Sequence, residues 1–197
     1  MVGMKSKVFA MLLCASLLPA VCARAKTTLP DACGDDSVKF DVDTKENQPA
    51  PAPPPAGKAQ IVFFESYEKN MPVIGGAPIV RFGVDGAWAG ADRGDSYFTM
   101  NLDPGVHHLC ASLQTVSGRM KKNSVGMDSF TAEAGKIYYY EFKFTLNGSS
   151  YPRAYGPGVT SGGGGMSMAY SFEFGVATED EGKYHIKASK LSTSKPK

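Results

Sequence analysis

Ile137-Tyr138-Tyr139-Tyr140-Glu141-Phe142-Lys143-Phe144-Thr145-Leu146 carries the strongest β signal in the chain. Tyr138, Tyr140, Phe142, Phe144 and Leu146 fall at every second position, with Ile137, Tyr139, Glu141, Lys143 and Thr145 between them. A period of two belongs to a β-strand, whose successive side chains point to opposite faces. The aromatic content suits a pleated, half-buried surface. Further on, Met168, Tyr170, Phe172, Phe174 and Val176 line one face of a matching strand, with Ser171 and Glu173 opposite. The two are expected to lie side by side as antiparallel neighbours.

Working back towards the N-terminus, the same signal recurs in shorter pieces. Ile61 to Phe64 and Ile79 to Val84 are apolar runs of buried-strand length, and Asp85-Gly86 after the second is a hairpin turn leading into Ala87-Trp88. Phe98, Met100 and Leu102 alternate with Tyr97, Thr99 and Asn101 and stop at Asp103-Pro104-Gly105, which is turn chemistry. The next strand sets Leu109, Ala111 and Leu113 against His108, Cys110 and Ser112, and Phe130 marks another before Ala134-Gly135. Together these predict an all-β protein, an antiparallel β-sandwich of about seven to eight strands. A short C-terminal helix is expected from the capping box Thr178-Glu179-Asp180-Glu181, although Gly182 weakens it and Tyr184 to Lys187 would also suit a strand.

The flanks divide the chain further. Residues 1–25 carry Lys5 and Lys7, an apolar stretch from Val8 to Leu18, and Ala23-Arg24-Ala25, the three parts of a cleavable secretory signal with its cut between Ala25 and Lys26. That stretch falls short of the roughly 20 residues a membrane span needs. The competing reading is lipid attachment at Cys22, against which stands the bulky Val21 before it. Residues 26–48 form a polar strap with a short alternating piece at Val38, Phe40 and Val42. Residues 49–57 are a proline-rich spacer, 58–190 the β domain and 191–197 a disordered tail.

Cleavage changes both the charge and the cysteine count. The whole chain has a formal charge of +2, with 21 basic and 19 acidic residues; losing Lys5, Lys7 and Arg24 leaves 18 basic residues and a charge of −1. The basic surface that nucleic acid requires is therefore not expected. Of four cysteines, Cys14 and Cys22 depart with the signal, so Cys33 and Cys110 are expected to form one disulfide. If Leu109 and Leu113 face the core, Cys110 faces outward, and the strap carrying Cys33 must cross the outer side of the sheet.

Little in the chain suggests catalysis or cofactor chemistry. His107 and His108 are neighbours in a strand and point apart, which disfavours a shared metal. Ser112, His108 and Asp95 make a catalytic triad only on paper, without a nucleophile elbow. Asp35 and Asp36, and Asp92 and Asp95, lack the ligand alternation of a calcium loop and read as turn residues. The loop from Asn147 to Met166, with Gly162 to Gly165, is not a phosphate loop, and Asn147-Gly148-Ser149 is a chance glycosylation match. No catalytic residue, metal or cofactor is assigned. Trp88 and Tyr139, with Tyr97 and Tyr155, are the aromatics a sugar platform would use, and Trp88 and Tyr139 are the candidate ligand-facing pair.

Gly57-Lys58-Ala59, Val84-Asp85-Gly86, Asp95-Ser96-Tyr97-Phe98, Asp103-Pro104-Gly105 with His107-His108, and Ala134-Gly135-Lys136 with Tyr138 to Tyr140 follow one another in a suggestive order. In these pieces, over roughly residues 57–146, the chain resembles an uncharacterised bacterial envelope family, domain of unknown function 2846. The resemblance implies a small exported β-sandwich, often lipidated, with no established activity and so no catalytic residues to carry over. The expected function is that of a non-enzymatic, periplasmic or secreted envelope protein. It would bind another envelope protein or a surface glycan. The alternative is an enzyme of envelope polysaccharide or peptide processing.

Overall fold

In the computed structural model, which describes residues 32–67, 77–114, 125–147 and 169–197, the chain forms ten strands and one helix. In chain order they are β1 Phe40–Lys45, β2 Ala59–Tyr67, β3 Ile79–Val84, β4 Ala87–Arg93, β5 Ser96–Leu102, β6 Gly105–Leu113, β7 Val125–Ala132, β8 Ile137–Asn147, β9 Ala169–Ala177, α1 Glu179–Ala188 and β10 Lys190–Pro196. A six-stranded sheet runs β1-β10-β5-β2-β8-β9, and a four-stranded sheet runs β4-β3-β6-β7. The signal residues, Cys22, Tyr155 and the glycine-rich loop lie outside the described residues.

The two sheets make the expected sandwich because their alternating strands each offer one apolar face. Ile61 and Phe63 of β2, Leu102 of β5, and Tyr140 and Phe142 of β8 come from the large sheet. They meet Val80, Phe82 and Val84 of β3 and Leu109, Ala111 and Leu113 of β6. Phe63 stacks on Phe82 with ring centroids 4.8 Å apart, which locks the sheets at mid-core. Asp85 and Gly86 take positive φ values of 51° and 84°, the geometry of a two-residue hairpin turn between β3 and β4. Asp103-Pro104-Gly105, by contrast, carries the chain from the large sheet into the small one.

Four features differ from the sequence-based expectation. The described residues hold ten strands, and two pairings, β2 with β8 and β10 with β5, are parallel. β2 and β8 are separated by the whole small sheet, a crossover long enough to bring them together in either direction. The proline-rich spacer does not stand off as a stiff tether: Tyr97 Oη donates to the Pro49 carbonyl at 3.4 Å, and Gln60 Nε2 to that of Ala52 at 3.2 Å. The expected disordered tail is strand β10, in register with β1 from Phe40↔Pro196 to Lys45↔Leu191. Apolar content gave no hint of it, because the β10 side chains that face the β4 edge are serines. Ala91 N–H of β4 donates to Ser194 Oγ at 3.0 Å, and Ser192 Oγ donates to the Ala91 carbonyl at 3.0 Å. Side chains of β10 thereby satisfy the β4 edge and seal one side of the sandwich.

The helix α1 starts at the expected capping box, with Thr178 and Glu181 satisfying each other's backbone amides. It lies over the outer face of the large sheet, where Ile186 packs with Val62, Phe64, Tyr97 and Tyr139. Gly182 is the contact point. A Cβ there would sit 2.2 Å from Tyr139 Cγ and 2.7 Å from its Cβ, atoms fixed to the β8 backbone. Helix propensity would favour alanine by about 1 kcal/mol, yet the overlap with Tyr139 costs more than that gain. Gly182→Ala is therefore expected to destabilise the fold by about 1–3 kcal/mol, read as a lower urea midpoint. A midpoint at or above wild type would show that α1 does not seat on Tyr139.

Candidate functional site

The outer face of the small sheet concentrates most of the residues that stood out in the sequence, and the strap crosses it as the alternation of Leu109, Cys110 and Leu113 implied. Cys33 is bonded to Cys110, and both are buried. Next along the strap, Trp88 Nε1 donates to the Asp35 carbonyl at 2.7 Å. Gly34 lies so close to the indole that a Cβ would fall 2.4 Å from its Cδ1. Arg81 then reaches up from β3: Nη1 donates to the carbonyls of Val38 at 2.6 Å and Asp36 at 3.3 Å, and Nη2 faces the Asp36 carboxylate at 3.5 Å. Its guanidinium carbon lies 4.3 Å from the Trp88 ring centroid. Finally Gln114 accepts from Phe40 N–H at 2.7 Å and donates to the Phe40 carbonyl at 2.8 Å, bonding the strap as a neighbouring strand would.

This arrangement corrects the sugar platform. Tyr139 is 6% exposed beneath α1, because Tyr138 and Tyr140 take the core face and leave it the helix-covered one. Tyr97 is buried in the same cluster. Trp88 is half-buried and serves as a clamp, its N–H and ring both engaged by the strap and Arg81. The two candidate ligand-facing aromatics thus lie in separate clusters and do not form one surface.

The histidines do point apart. His108 faces outward and is exposed, whereas His107 turns inward beside Phe130. His107 Nδ1 lies 2.6 Å from Asp85 Oδ2, and Nε2 lies 2.8 Å from the Asp103 carbonyl. Asp85 Oδ1 also accepts from His108 N–H at 2.8 Å, so the β3–β4 turn is tied to β6. Since both partners of the ring are acceptors, the imidazolium satisfies them best. Burial alone would lower the imidazole's titration point, but the Asp103 carbonyl and the Asp85 carboxylate outweigh it and hold the ring above its ordinary value. A raised folded-state value contributes stability that is complete below about pH 6.5, the unfolded value. That contribution is lost as the pH rises through the folded value. His107→Gln should accordingly cost stability at pH 6 and progressively less by pH 8.5 in urea titrations; an equal loss at both would assign His107 a packing role alone.

Other sequence candidates are dispersed. Ser112 is buried and accepts from Arg81 Nη2 at 3.4 Å. His108 lies four positions away on the same strand, roughly 13 Å, and Asp95 belongs to the turn before β5, in the other sheet. The paper triad is not assembled. Asp35 does serve a turn, accepting from Ser37 N–H and Oγ at 2.8 and 2.7 Å, while Asp36 faces Arg81. Among the described residues no group of three or more His, Cys, Asp or Glu side chains could hold a metal.

Asp92 departs from its expected turn role, and Glu65, which sequence reasoning passed over, joins it. Asp92 is the register partner of Val80, a core residue, and so points between the sheets. Glu65 follows Ile61 and Phe63 on the inward face of β2. They are 0% and 1% exposed, and among the described residues none of their four carboxylate oxygens meets a donor in full hydrogen-bond geometry, although the Gly94 amide and the Ser192 hydroxyl lie near enough to lower them in part. Burial pushes both carboxyls well above the usual range, Glu65 further because of the Asp92 charge. The signal was available: extending the alternation of Ile61 and Phe63 by one step puts Glu65 inside.

The strap leaves part of the small sheet's outer face uncovered. There Val106 pairs with Thr131 and His108 with Ser129, and Met127 lies across from Cys110 at the border of the strap. Val106 and Met127 are 65% and 57% exposed. No helix among the described residues is long and apolar enough to cross a membrane. Comparison with protein families, curated proteins and solved structures finds no match for this chain.

Proposed function

We propose that this protein is an exported, non-enzymatic module of the cell envelope that binds another protein through the uncovered half of the small sheet and its edge strand β7. The observation carrying this reading is the division of one sheet face. The strap covers one half, and the other presents Val106 and Met127 to solvent on either side of His108 and Ser129. β7 ends the small sheet, and among the described residues no strand is bonded to its far edge. A free edge offers unpaired N–H and C=O groups to a strand from a partner. A protein fits better than a glycan, since Tyr139 is buried and Trp88 is held by the strap. The buried Cys33–Cys110 bond favours an oxidising compartment. This fits release after Ala25, and the likeness to domain of unknown function 2846 points the same way.

A photo-crosslinker placed at position 106 or 127 in the native envelope is expected to capture a common partner, and one at Lys183 on α1 is not. Val106→Asp with Met127→Asp should abolish the capture and leave the urea midpoint unchanged, because both positions are exposed. Equal capture from both surfaces, or capture that survives the double substitution, would defeat the reading.

A further inference from the structure

We propose that Glu65 and Asp92 form an acid-held latch: protonated, they let the β2–β4 end of the sandwich close dry, and ionised, they force it to loosen. Both side chains point into the same interior, one from each sheet, and among the described residues all four oxygens lack a hydrogen-bond partner. An ionised carboxylate sealed in such a place carries a penalty of several kcal/mol unless a cation or donors meet it.

Among the described residues, the groups around the pair offer no such relief. The one buried cation among the described residues, Arg81, is on the same sheet but the opposite face: it registers with Ala91, one position out of phase with Asp92. Lys190 of β10 is paired with Glu46 at 2.8 Å. Arg93 of β4 is exposed. Asp95, in the β4–β5 turn, adds a third negative charge that acts on Glu65. Glu141 of β8 takes the Ser66 hydroxyl at 2.5 Å. The nearest donors are engaged elsewhere and lower the two carboxyls only in part. Gly94 N–H donates to the Pro78 carbonyl at 3.1 Å, and Ser192 of β10 directs its hydroxyl to that of Ala91. Ser96 of β5 receives Arg93 N–H at 2.9 Å.

A proton suits this pair better than a metal ion. Two carboxylates supply at most four oxygens, whereas calcium takes six to eight. Protonation removes the charge without needing space or further ligands.

The folded state then holds protons that the unfolded chain gives up near pH 4. Each such proton weakens the folded-to-unfolded ratio tenfold per pH unit between the unfolded and folded titration points. The resulting stability is complete below about pH 4 and lost as the pH rises through the folded values. His107 acts in the same sense near neutrality. Asp85 and Asp103, whose carboxyls lie below the ordinary range, limit the gain at the acid end.

The test is a series of urea titrations of the full exported chain between pH 4.5 and 8.5, for wild type, Glu65→Gln, Asp92→Asn and the double variant. The wild-type ratio should fall by up to tenfold per pH unit for each carboxyl. The double variant should stay flat apart from the His107 step, and exceed wild type at pH 8. A flat wild-type profile, or a slope retained in the double variant, overturns the latch. Should the variants fail to fold, carbon NMR of the wild-type carboxyls decides: resonances still protonated at pH 7 support the latch, and titration complete by pH 5 overturns it. Calcium added at pH 8, against a chelator control, is the remaining arm. Stabilisation of wild type at least tenfold above that of the double variant would assign the pair to a cation instead.

Discussion

Replacing Cys33 and Cys110 together by alanine lowers the unfolding free energy by about 4 kcal/mol, the largest effect expected from breaking any one contact in this protein. The bond joins residues 77 apart in sequence. In the chain-entropy account a loop of that length removes about 4–5 kcal/mol of freedom from the unfolded chain. For a domain whose whole stability is of order 5–15 kcal/mol, the change is a large fraction. Both cysteines are buried, at 4% and 0% exposure, so a reductant should reach the bond only after the strap or the whole fold opens. Urea titration checks the magnitude, and the slope against urea should steepen because the unlinked chain unfolds to a more open ensemble. A loss under 1 kcal/mol would mean that the other strap contacts already restrain residue 33 without the bond.

Arg81→Met is expected to cost about 3 kcal/mol, the scale seen when one member of a buried charged network is removed. Methionine keeps much of the stem packing but withdraws the donors from the Val38 and Asp36 carbonyls, and it removes the cation from the Trp88 face. Arg81→Lys should rescue only part of the loss. One ammonium cannot reproduce a planar fork that meets Val38, Asp36 and Ser112 from two nitrogens. Trp88 is the single tryptophan of the chain and sits under this contact, so its emission reports on the strap directly. In Arg81→Met the emission should shift to the red in native buffer while far-ultraviolet strand signal persists. Unchanged emission together with unchanged stability would show that the disulfide and Gln114 hold the strap alone.

The two predictions concern different reasons for one contact. Cys33–Cys110 acts mostly on the unfolded chain, by limiting its freedom. Arg81 acts on the folded state, where it supplies the donor that the half-buried Val38 carbonyl accepts. Together they make the uncovered half of the sheet a stable surface beside an anchored one, which is what the proposed partner site needs.

Alternation made β8 and β9 readable as neighbours, and the structure registers Phe142 with Phe174 as that reading required. The capping box at Thr178 was equally readable, since it depends on residues three apart. What lay beyond local pattern followed from contacts between distant segments. β10 is polar and becomes a strand only because β1 lies on one side and Ala91 on the other. Tyr139 belongs to an aromatic run, and its burial depends on Gly182 of a helix about forty residues later.

Local pattern alone carried the β class, the main core faces, the hairpin at Asp85-Gly86, the helix start and the Cys33–Cys110 pairing. Each rests on periodicity, turn geometry or elimination within the chain. Contacts between distant segments set the parallel run of β2 and β8, the clamping role of Trp88 and the burial of both Glu65 and Asp92 between the sheets. The reason is physical: a side chain's face follows from its neighbours in sequence, but what covers that face is set by segments far along the chain. For a carboxylate, what covers it decides whether it carries a charge at all.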